Sequence, residues 1–247
     1  MASASRASGT AFEECINLTS IKILGSVTSI GFGGFYGCSS PTDITFPHSL
    51  IKIGGYAFSG CTSLSSIEIP NAITNLGDGA FYYCSKATSV TIPNNVAVIG
   101  REIFAYCFGL TKITIEDRVS SIGDEAFIDC TNLTSVAIPD SVTNVGNATF
   151  CLCSSLTNIL IGRGVISIGY SGFLLHHCHG VDHKRGVAAG PAASASHGIF
   201  TCSGLFRLVF TESKEQKAEG CVSVNVESSG NRPLMKNRNL DRRDNVA

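Results

Sequence analysis

The sequence is poor in charged residues and has no excess of either sign. Asp, Glu, Lys and Arg make up only 15% of its 247 residues, and the formal net charge is −1. A protein that binds nucleic acid presents a basic field, and one that attracts cationic partners presents an acidic field. The composition therefore predicts neither a nucleic-acid partner nor a strongly cationic one.

Long apolar runs are also missing. No stretch approaches the roughly 18 apolar residues that a membrane-spanning helix needs, so we expect no membrane span. The first residues, MASASRASGTAF, lack the apolar core of a signal peptide. As written, the sequence predicts a cytoplasmic protein.

Catalytic motifs are absent as well. The sequence has no nucleophile elbow, no phosphate-binding loop and no paired-carboxylate arrangement. Gly31-Phe32-Gly33-Gly34 is rich in glycine, but no Lys-Ser/Thr phosphate clamp follows it. The sequence therefore predicts a protein that is not an enzyme, with no cofactor and no catalytic residue.

What the sequence does contain is a repeat of 23 residues. A fixed period in this range indicates a solenoid, in which neighbouring coils bury each other's apolar faces. We expect about seven coils over residues 8–175. Three columns keep the period without a slip: phenylalanine at 12, 35, 58, 81, 104, 127, 150 and 173; cysteine at 15, 38, 61, 84, 107, 130 and 153; glycine at 31, 54, 77, 100, 123, 146 and 169.

Each repeat begins with a form of the pattern Leu-x-x-Ile-x-Ile-Pro, which is complete at Leu64, Ile67, Ile69 and Pro70. The departures at its leucine and proline positions are Pro41 and Ala87 in place of the leucine, and Leu24, Glu116 and Gly162 in place of the proline. Apolar residues two apart indicate a strand with one inward face, and proline ends it because proline cannot donate the next ladder hydrogen bond. A shorter part, Val-x-x-Ile-Gly, predicts a second strand. Its glycine indicates a turn that needs either a positive φ or the absence of a side chain.

The third part of the repeat is Ala-Phe-x-x-Cys-x-x-Leu. Its apolar residues are three apart, which predicts one or two helical turns with one buried face. Asp78, Asp124 and Asn147 come just before it, where the N-cap of a helix belongs. Free cysteine behaves as a small buried hydrophobe, so we expect the cysteine column to be inward-facing and reduced, and not a set of disulfides or a metal site.

The period fails after Phe173. Residues 176–201 are an insertion whose Ala/Gly/Ser/Pro-rich part predicts a loop or disorder. The spacing at 202–210 then matches a degenerate repeat strand. We expect residues 1–7 and the polar tail, 211–247, to be disordered.

The insertion also contains a cluster of histidines and one cysteine, which are the residue types that bind zinc. The members are His176, His177, Cys178, His179 and His183, all within 176–183. Their spacing fits no established zinc pattern, so we assign no metal residue. A metal site in this segment remains an alternative to a flexible insertion.

The unit Leu-x-x-Ile-x-Ile-Pro…Ile-Gly-x-x-Ala-Phe-x-x-Cys, seen in LTSVAIPDSVTNVGNATFCLCSSL, resembles the repeat of the BspA-like leucine-rich repeat family. The resemblance covers about two-thirds of the chain and implies an α/β repeat fold. The expected form is a right-handed, curved leucine-rich-repeat solenoid with a parallel β-sheet on its concave face and short strands and helical turns elsewhere. The resemblance also implies a binding or adhesion role in a cell-surface or secreted protein.

A solenoid without pockets offers an extended area, so we expect a non-catalytic module that binds a protein or glycan partner. The candidate contact positions are the outward residues of the first strand; the simpler alternative is that they are merely solvated. A further alternative is a fragment of a larger repeat protein with no activity of its own. The candidate binding residues are Lys22, Thr45, Glu68, Thr91, Lys112, Thr114 and Asn158.

Overall fold

The computed structural model describes residues 6–7, 10–173, 199–202, 206–211 and 222–228, and every regular element among them is a β-strand. In chain order the strands are β1 Arg6–Ala7, β2 Ile21–Lys22, β3 Ser29–Ile30, β4 Ile44–Thr45, β5 Lys52–Ile53, β6 Ile67–Glu68, β7 Asn75–Leu76, β8 Ser89–Ile92, β9 Val98–Ile99, β10 Lys112–Ile115, β11 Ser121–Ile122, β12 Ser135–Ile138, β13 Asn144–Val145, β14 Asn158–Ile161, β15 Ser167–Ile168, β16 Ile199–Cys202, β17 Phe206–Thr211 and β18 Val222–Ser228.

Most of these strands form two series of parallel strands that run along the solenoid. The even-numbered strands β2 to β14 are the first strands of successive coils and form the first-strand sheet. The odd-numbered strands β3 to β15 are the second strands. Paired residues are equivalent positions of adjacent repeats, such as Lys112 with Ser89 and Ser121 with Val98. The repeat length therefore sets the strand register, although the ladders are interrupted between β4 and β6 and between β7 and β9.

The phenylalanine column forms a continuous stack inside the coils. The ring centroids of Phe81 and Phe104 are 5.5 Å apart, and those of Phe104 and Phe127 are 5.6 Å apart, with interplanar angles of 1° and 8°. Phe104 is completely buried. Parallel strands are about 4.8 Å apart, so a strict repeat holds equivalent rings at a stacking distance.

The cysteine column lies beside this stack. The thiol of Cys107 donates a hydrogen bond to the carbonyl oxygen of Phe81, and the thiol of Cys130 donates one to that of Phe104, both over 3.3 Å. The cysteines of the described residues are free thiols, and the column is buried from Cys38 to Cys153. The inward placement predicted for this column is confirmed.

The predicted helical turns are wrong, and with them the α/β assignment. In the third part of one repeat, the N–H groups of Tyr56 and Phe58 donate to carbonyls of the next coil, Asp78 at 2.9 Å and Ala80 at 2.8 Å. The intervening N–H groups close tight turns within the coil. Tyr56 has a φ of 51°, which a right-handed helix does not allow. The fold is a parallel β-solenoid, and its third side is a ladder of turns.

We call these turn ladders the third segments. They comprise residues 32–38, 55–61, 78–84, 101–107, 124–130, 147–153 and 170–173.

The residues predicted as helix N-caps instead connect neighbouring coils. The side chain of Asp78 accepts a hydrogen bond from the backbone N–H of Arg101 over 2.9 Å, and that of Asp124 accepts one from the N–H of Asn147 over 2.6 Å. Asn147 in turn accepts one from the N–H of Tyr170 over 2.8 Å. Each side chain satisfies a backbone donor at the equivalent position of the next repeat, so it acts as a brace between coils.

Close backbone packing explains the glycine column. A Cβ on Gly123 would lie 2.8 Å from the carbonyl carbon of Gly100, and one on Gly146 would lie 2.5 Å from the backbone nitrogen of Asp124. Neither glycine has a positive φ. Of the two explanations that the sequence left open, the structure supports the absence of a side chain.

Strands also lie outside the predicted solenoid. β1, within the predicted disordered start 1–7, pairs in parallel with β3 and places Arg6 opposite Ser29. At the other end β18 pairs antiparallel with β14, β17 with β18, and β16 with β17. β17 overlaps the predicted repeat strand 202–210, but a further coil would pair in parallel with β14.

Other predictions for the end of the chain concern residues that the structure leaves undescribed. The histidine-rich segment 176–183 lies outside the described residues. So do most of the insertion and most of the tail, although β18 falls within the tail.

Candidate binding surface

The structure places the candidate contact residues on the outward side of the first-strand sheet. In β10, Ile113 and Ile115 are buried, Lys112 is exposed and Thr114 is half-buried. This alternation follows from strand geometry, because successive side chains point to opposite faces. The other candidates are all exposed: Lys22, Thr45, Glu68, Thr91 and Asn158.

Strand register arranges the candidates in two rows. In one row Lys22 lies opposite Thr45. The same row continues with Glu68 opposite Thr91 and Thr91 opposite Thr114. The fold thus brings together residues that are one repeat apart in the sequence.

The second row runs alongside the first. Lys112 lies between Ser89 and Ser135, and Ser135 lies opposite Asn158. At its end, Asn158 of β14 pairs with Asn225 of β18. The two rows together form an extended polar face.

The polar groups of these rows are available to a partner. Within the described residues, both ion pairs involve Arg101, so Lys22, Glu68 and Lys112 have no ion pair there. The hydroxyls of Thr45 and Thr91 have no hydrogen-bond partner in the same part of the chain. By contrast, flanking hydroxyls such as that of Thr88, which donates to the carbonyl of Ser65 over 3.3 Å, are used within the solenoid.

A different set of side chains gathers on the third segments, where the repeat pattern predicted no binding residue. The ring centroids of Tyr56 and Tyr82 are 6.2 Å apart, and those of Tyr82 and Tyr106 are 5.2 Å apart. The hydroxyl of Tyr56 donates to Glu102 over 2.9 Å. We define the tyrosine face as Tyr56, Tyr82 and Tyr106 with Glu102, Glu125 and Asp129.

The tyrosine face has a negative electrostatic environment. Burial raises the pKa of the Tyr106 hydroxyl, and the charges of Asp129, Glu125 and Glu102 raise it further. Arg101 forms ion pairs with two carboxylates of this face, Glu102 at 2.8 Å and Glu125 at 3.4 Å. The nearby carboxylates, Glu102 first, raise the pKa of the Arg101 guanidinium.

A count of tyrosines by repeat position would have indicated this face. All six tyrosines of the chain fall in third segments, at positions 36, 56, 82, 83, 106 and 170. They do not share one column of the repeat, so a comparison column by column does not detect them. Only the packing of coils brings Tyr56, Tyr82 and Tyr106 into one run.

The described residues contain no group of three or more His, Cys, Asp or Glu that could hold a metal ion. Burial raises the pKa of the Cys107 thiol to about 12, so this thiol stays protonated at neutral pH and is a poor metal ligand or nucleophile. No helix of the described residues is long and apolar enough to cross a membrane.

Solved structures similar to this chain include two leucine-rich repeat proteins. A leucine-rich cell surface protein from Faecalibacterium prausnitzii is 35% identical, with a TM-score of 0.57 over 62% of this chain and 40% of that protein. A leucine-rich repeat protein from Eubacterium ventriosum is 21% identical, with a TM-score of 0.61 over 67% of this chain and 46% of that protein, and shares the fold. This chain thus spans less than half the length of each.

No curated protein matches the chain. The family model of the BspA type leucine rich repeat region matches residues 7–134 and 74–183, with 6 copies of the repeat. Together these ranges cover most of the chain and contain the phenylalanine, cysteine and glycine columns. The resemblance seen in the sequence is confirmed, and the chain belongs to the BspA-type leucine-rich repeat family.

Proposed function

We propose that this chain is a non-catalytic binding module and that its contact surface is the outward face of the first-strand sheet. One observation supports this proposal above others. The two rows expose hydroxyls without a partner in the described residues, together with Lys22, Glu68 and Lys112, which have no ion pair there. A partner can supply hydrogen bonds and opposite charges to such a face without displacing contacts that hold the fold together.

The partner class follows from the shape and chemistry of this face. It is extended and polar, and it contains no buried titratable pair of the kind that acid–base catalysis uses. Such a face suits an extended protein segment or a glycan, both of which bind through repeated hydrogen bonds. The similar Faecalibacterium prausnitzii protein is a cell surface protein. We infer the same location for this chain, where adhesion partners are other proteins and glycans outside the cell.

The test is a charge reversal on the rows. Glu68→Lys combined with Lys112→Glu keeps the net charge and inverts the local pattern. The double variant should lower capture of an extracellular-matrix protein panel and a glycan array by about tenfold, because charge complementarity governs association rate and partner choice. Both residues are exposed, so the free energy of unfolding should change by less than about 0.5 kcal/mol.

The matched control is Asp117→Arg with Arg118→Asp. These two exposed residues lie in the turn after β10, outside the rows. The control should bind like the native chain. Equal capture by both double variants would exclude the first-strand sheet as the contact surface, and no capture by the native chain would exclude the proposed function for this chain.

A further inference from the structure

The fold brings together acidic residues whose excess is not visible in the near-neutral overall composition. The third segments 78–84, 101–107 and 124–130 contain five carboxylates and a single base, Arg101. The bases that offset them in the net charge of −1 lie elsewhere in the chain. Charges farther apart than the Debye length, about 8 Å at physiological salt, are largely screened from each other. The three segments therefore form a local negative field, which the near-neutral composition does not reveal.

Aromatic rings lie within the same field. Tyr82 and Tyr106 are half-buried, and Tyr83 beside them is 42% exposed. Tyr83 and Tyr106 both pack against Phe108, with centroid distances of 5.6 and 6.2 Å. Rings held in place by such contacts lose little conformational entropy when a partner binds. The run therefore offers pre-organised aromatic surface next to carboxylates.

We propose that the tyrosine face binds an arginine-rich segment of a protein partner. A guanidinium group stacks on an aromatic ring and pairs with a carboxylate in a fork geometry, so it uses both chemistries of this face at once. Alternate residues of an extended segment are about 7 Å apart. This spacing is close to the ring separations of 6.2 and 5.2 Å along Tyr56, Tyr82 and Tyr106.

A cationic partner fits this face better than a neutral sugar. A sugar can stack on tyrosine and donate to a carboxylate, but it gains nothing from an excess of negative charge. Arg101 already shows the preferred chemistry within the chain, since its guanidinium pairs with both Glu102 and Glu125. A second guanidinium approaching Glu125 would meet the same kind of acceptor.

This inference goes beyond the proposed function because it concerns a different side of the coil. The contact rows are outward strand positions, whereas the tyrosine face belongs to the third segments. Variants of the two surfaces share no residue. Failure of one proposal therefore leaves the other open to its own test.

The experiment uses the full chain and a synthetic peptide of alternating arginine and glycine. Calorimetric titration should detect binding of this peptide. A peptide with citrulline in place of each arginine keeps the shape and removes the charge, and it should bind at least about tenfold more weakly. The chain has no tryptophan and all its tyrosines lie in third segments, so tyrosine fluorescence gives a second readout.

Two variants locate the site. Tyr106→Leu removes one ring at a position whose equivalent in a later repeat is Leu152, also with a positive φ. Glu125→Gln removes one charge and keeps the shape. Each should weaken peptide binding by about fivefold, whereas Glu68→Gln on the first-strand sheet should change it less than about twofold.

Several outcomes would overturn the proposal. Equal binding of the arginine and citrulline peptides would show that charge plays no part. An equal loss of peptide affinity in Glu125→Gln and Glu68→Gln would indicate that the peptide is attracted by the overall charge and not by a specific site. Absence of peptide binding at millimolar concentration, with or without binding of a neutral oligosaccharide, would also reject the arginine-rich partner. An unchanged unfolding midpoint confirms that each variant is folded.

Discussion

At the scale of single residues, the cysteine column shows how a buried thiol can contribute to packing while it stays protonated and unreactive. Burial raises the pKa of the Cys61 and Cys107 thiols to about 12, and it raises those of Cys84 and Cys130 well above the ordinary value. The thiols of Cys107 and Cys130 donate hydrogen bonds to phenylalanine carbonyls, which a thiolate cannot do. These four buried thiols are therefore stabilised in their protonated form.

This protonation state predicts a loss of stability in alkaline solution. The Cys107 thiol has an ordinary pKa of 9.0 and a folded-state pKa of about 12. Because the folded pKa is the higher one, the unfolded chain loses the proton first as the pH rises. The stabilising effect is complete below pH 9 and is lost progressively between the two values. Between pH 8 and pH 10 each such thiol should lower the free energy of unfolding by about 1.4 kcal/mol.

The measurement compares the native chain with Cys107→Ala by urea unfolding at both pH values. The variant is expected to be less stable overall but to lose about 1.4 kcal/mol less between pH 8 and pH 10. Tyrosines and lysines also titrate in this range, and their effect cancels in the comparison. An identical pH dependence of the two proteins would contradict the buried, neutral thiol.

At the scale of elements, the strands were predictable from the sequence and the third segments were not. Alternating apolar residues such as Ile67 and Ile69 indicate a strand because one face is buried. Apolar residues three apart, such as Phe127 and Cys130, are common to a helix and to a series of tight turns. The difference lies in hydrogen bonds to the next coil, such as that from Phe127 N to Thr149 O over 2.9 Å, which a single repeat does not reveal.

Of the two candidate surfaces, one could likewise be predicted from the sequence and the other could not. The rows on the first-strand sheet follow from strand alternation and a constant repeat, so the exposure of Glu68 and Lys112 could be predicted. The tyrosine face depends on contacts between different positions of different repeats, as in the Tyr82–Tyr106 pair. Such contacts depend on the turn geometry of the third segments, for which the sequence wrongly predicted helical turns.

The close packing between coils also predicts which glycines can be replaced. Gly123 is needed because its missing Cβ would collide with the backbone of Gly100 at 2.8 Å. Gly60 has a φ of 76°, but its Cβ would approach no backbone atom closer than 3.4 Å. The equivalents of Gly60 in later repeats include Tyr83 and Tyr106, so a side chain fits there.

A glycine can be required either by a positive φ or by close packing of the backbones. Substitution by asparagine distinguishes the two, because asparagine tolerates a positive φ better than most residues. Gly60→Asn should change the free energy of unfolding by less than about 1 kcal/mol, the size of the strain that remains. Gly123→Asn should lower it by about 1–3 kcal/mol or more, as overpacking does. Chemical denaturation of both variants provides the measurement. Equal losses would mean that close packing of the backbones is not what selects glycine at 123.

At the scale of the whole molecule, the solenoid is a one-dimensional stack whose stability comes from contacts between neighbouring coils. Inside the stack each phenylalanine has two neighbours, as Phe104 has in Phe81 and Phe127. At one end Phe12 stacks on a single ring of the described residues, that of Phe35 at 5.1 Å, and is 45% exposed. Phe12 and Phe35 also line an open apolar cleft of about 400 Å³.

The same substitution should therefore have unequal effects along the stack. Phe104→Ala should lower the free energy of unfolding by about 3–5 kcal/mol, because it leaves a cavity between two rings in a completely buried site. Phe12→Ala should cost about 1 kcal/mol, since its ring is already partly hydrated and has one stacking partner. Urea titrations analysed with a common slope would give both values. A loss below about 1 kcal/mol for Phe104→Ala would contradict the buried stack. Equal losses for the two variants would show that the ring of Phe12 is as well covered in solution as that of Phe104, and that the end of the stack is not open.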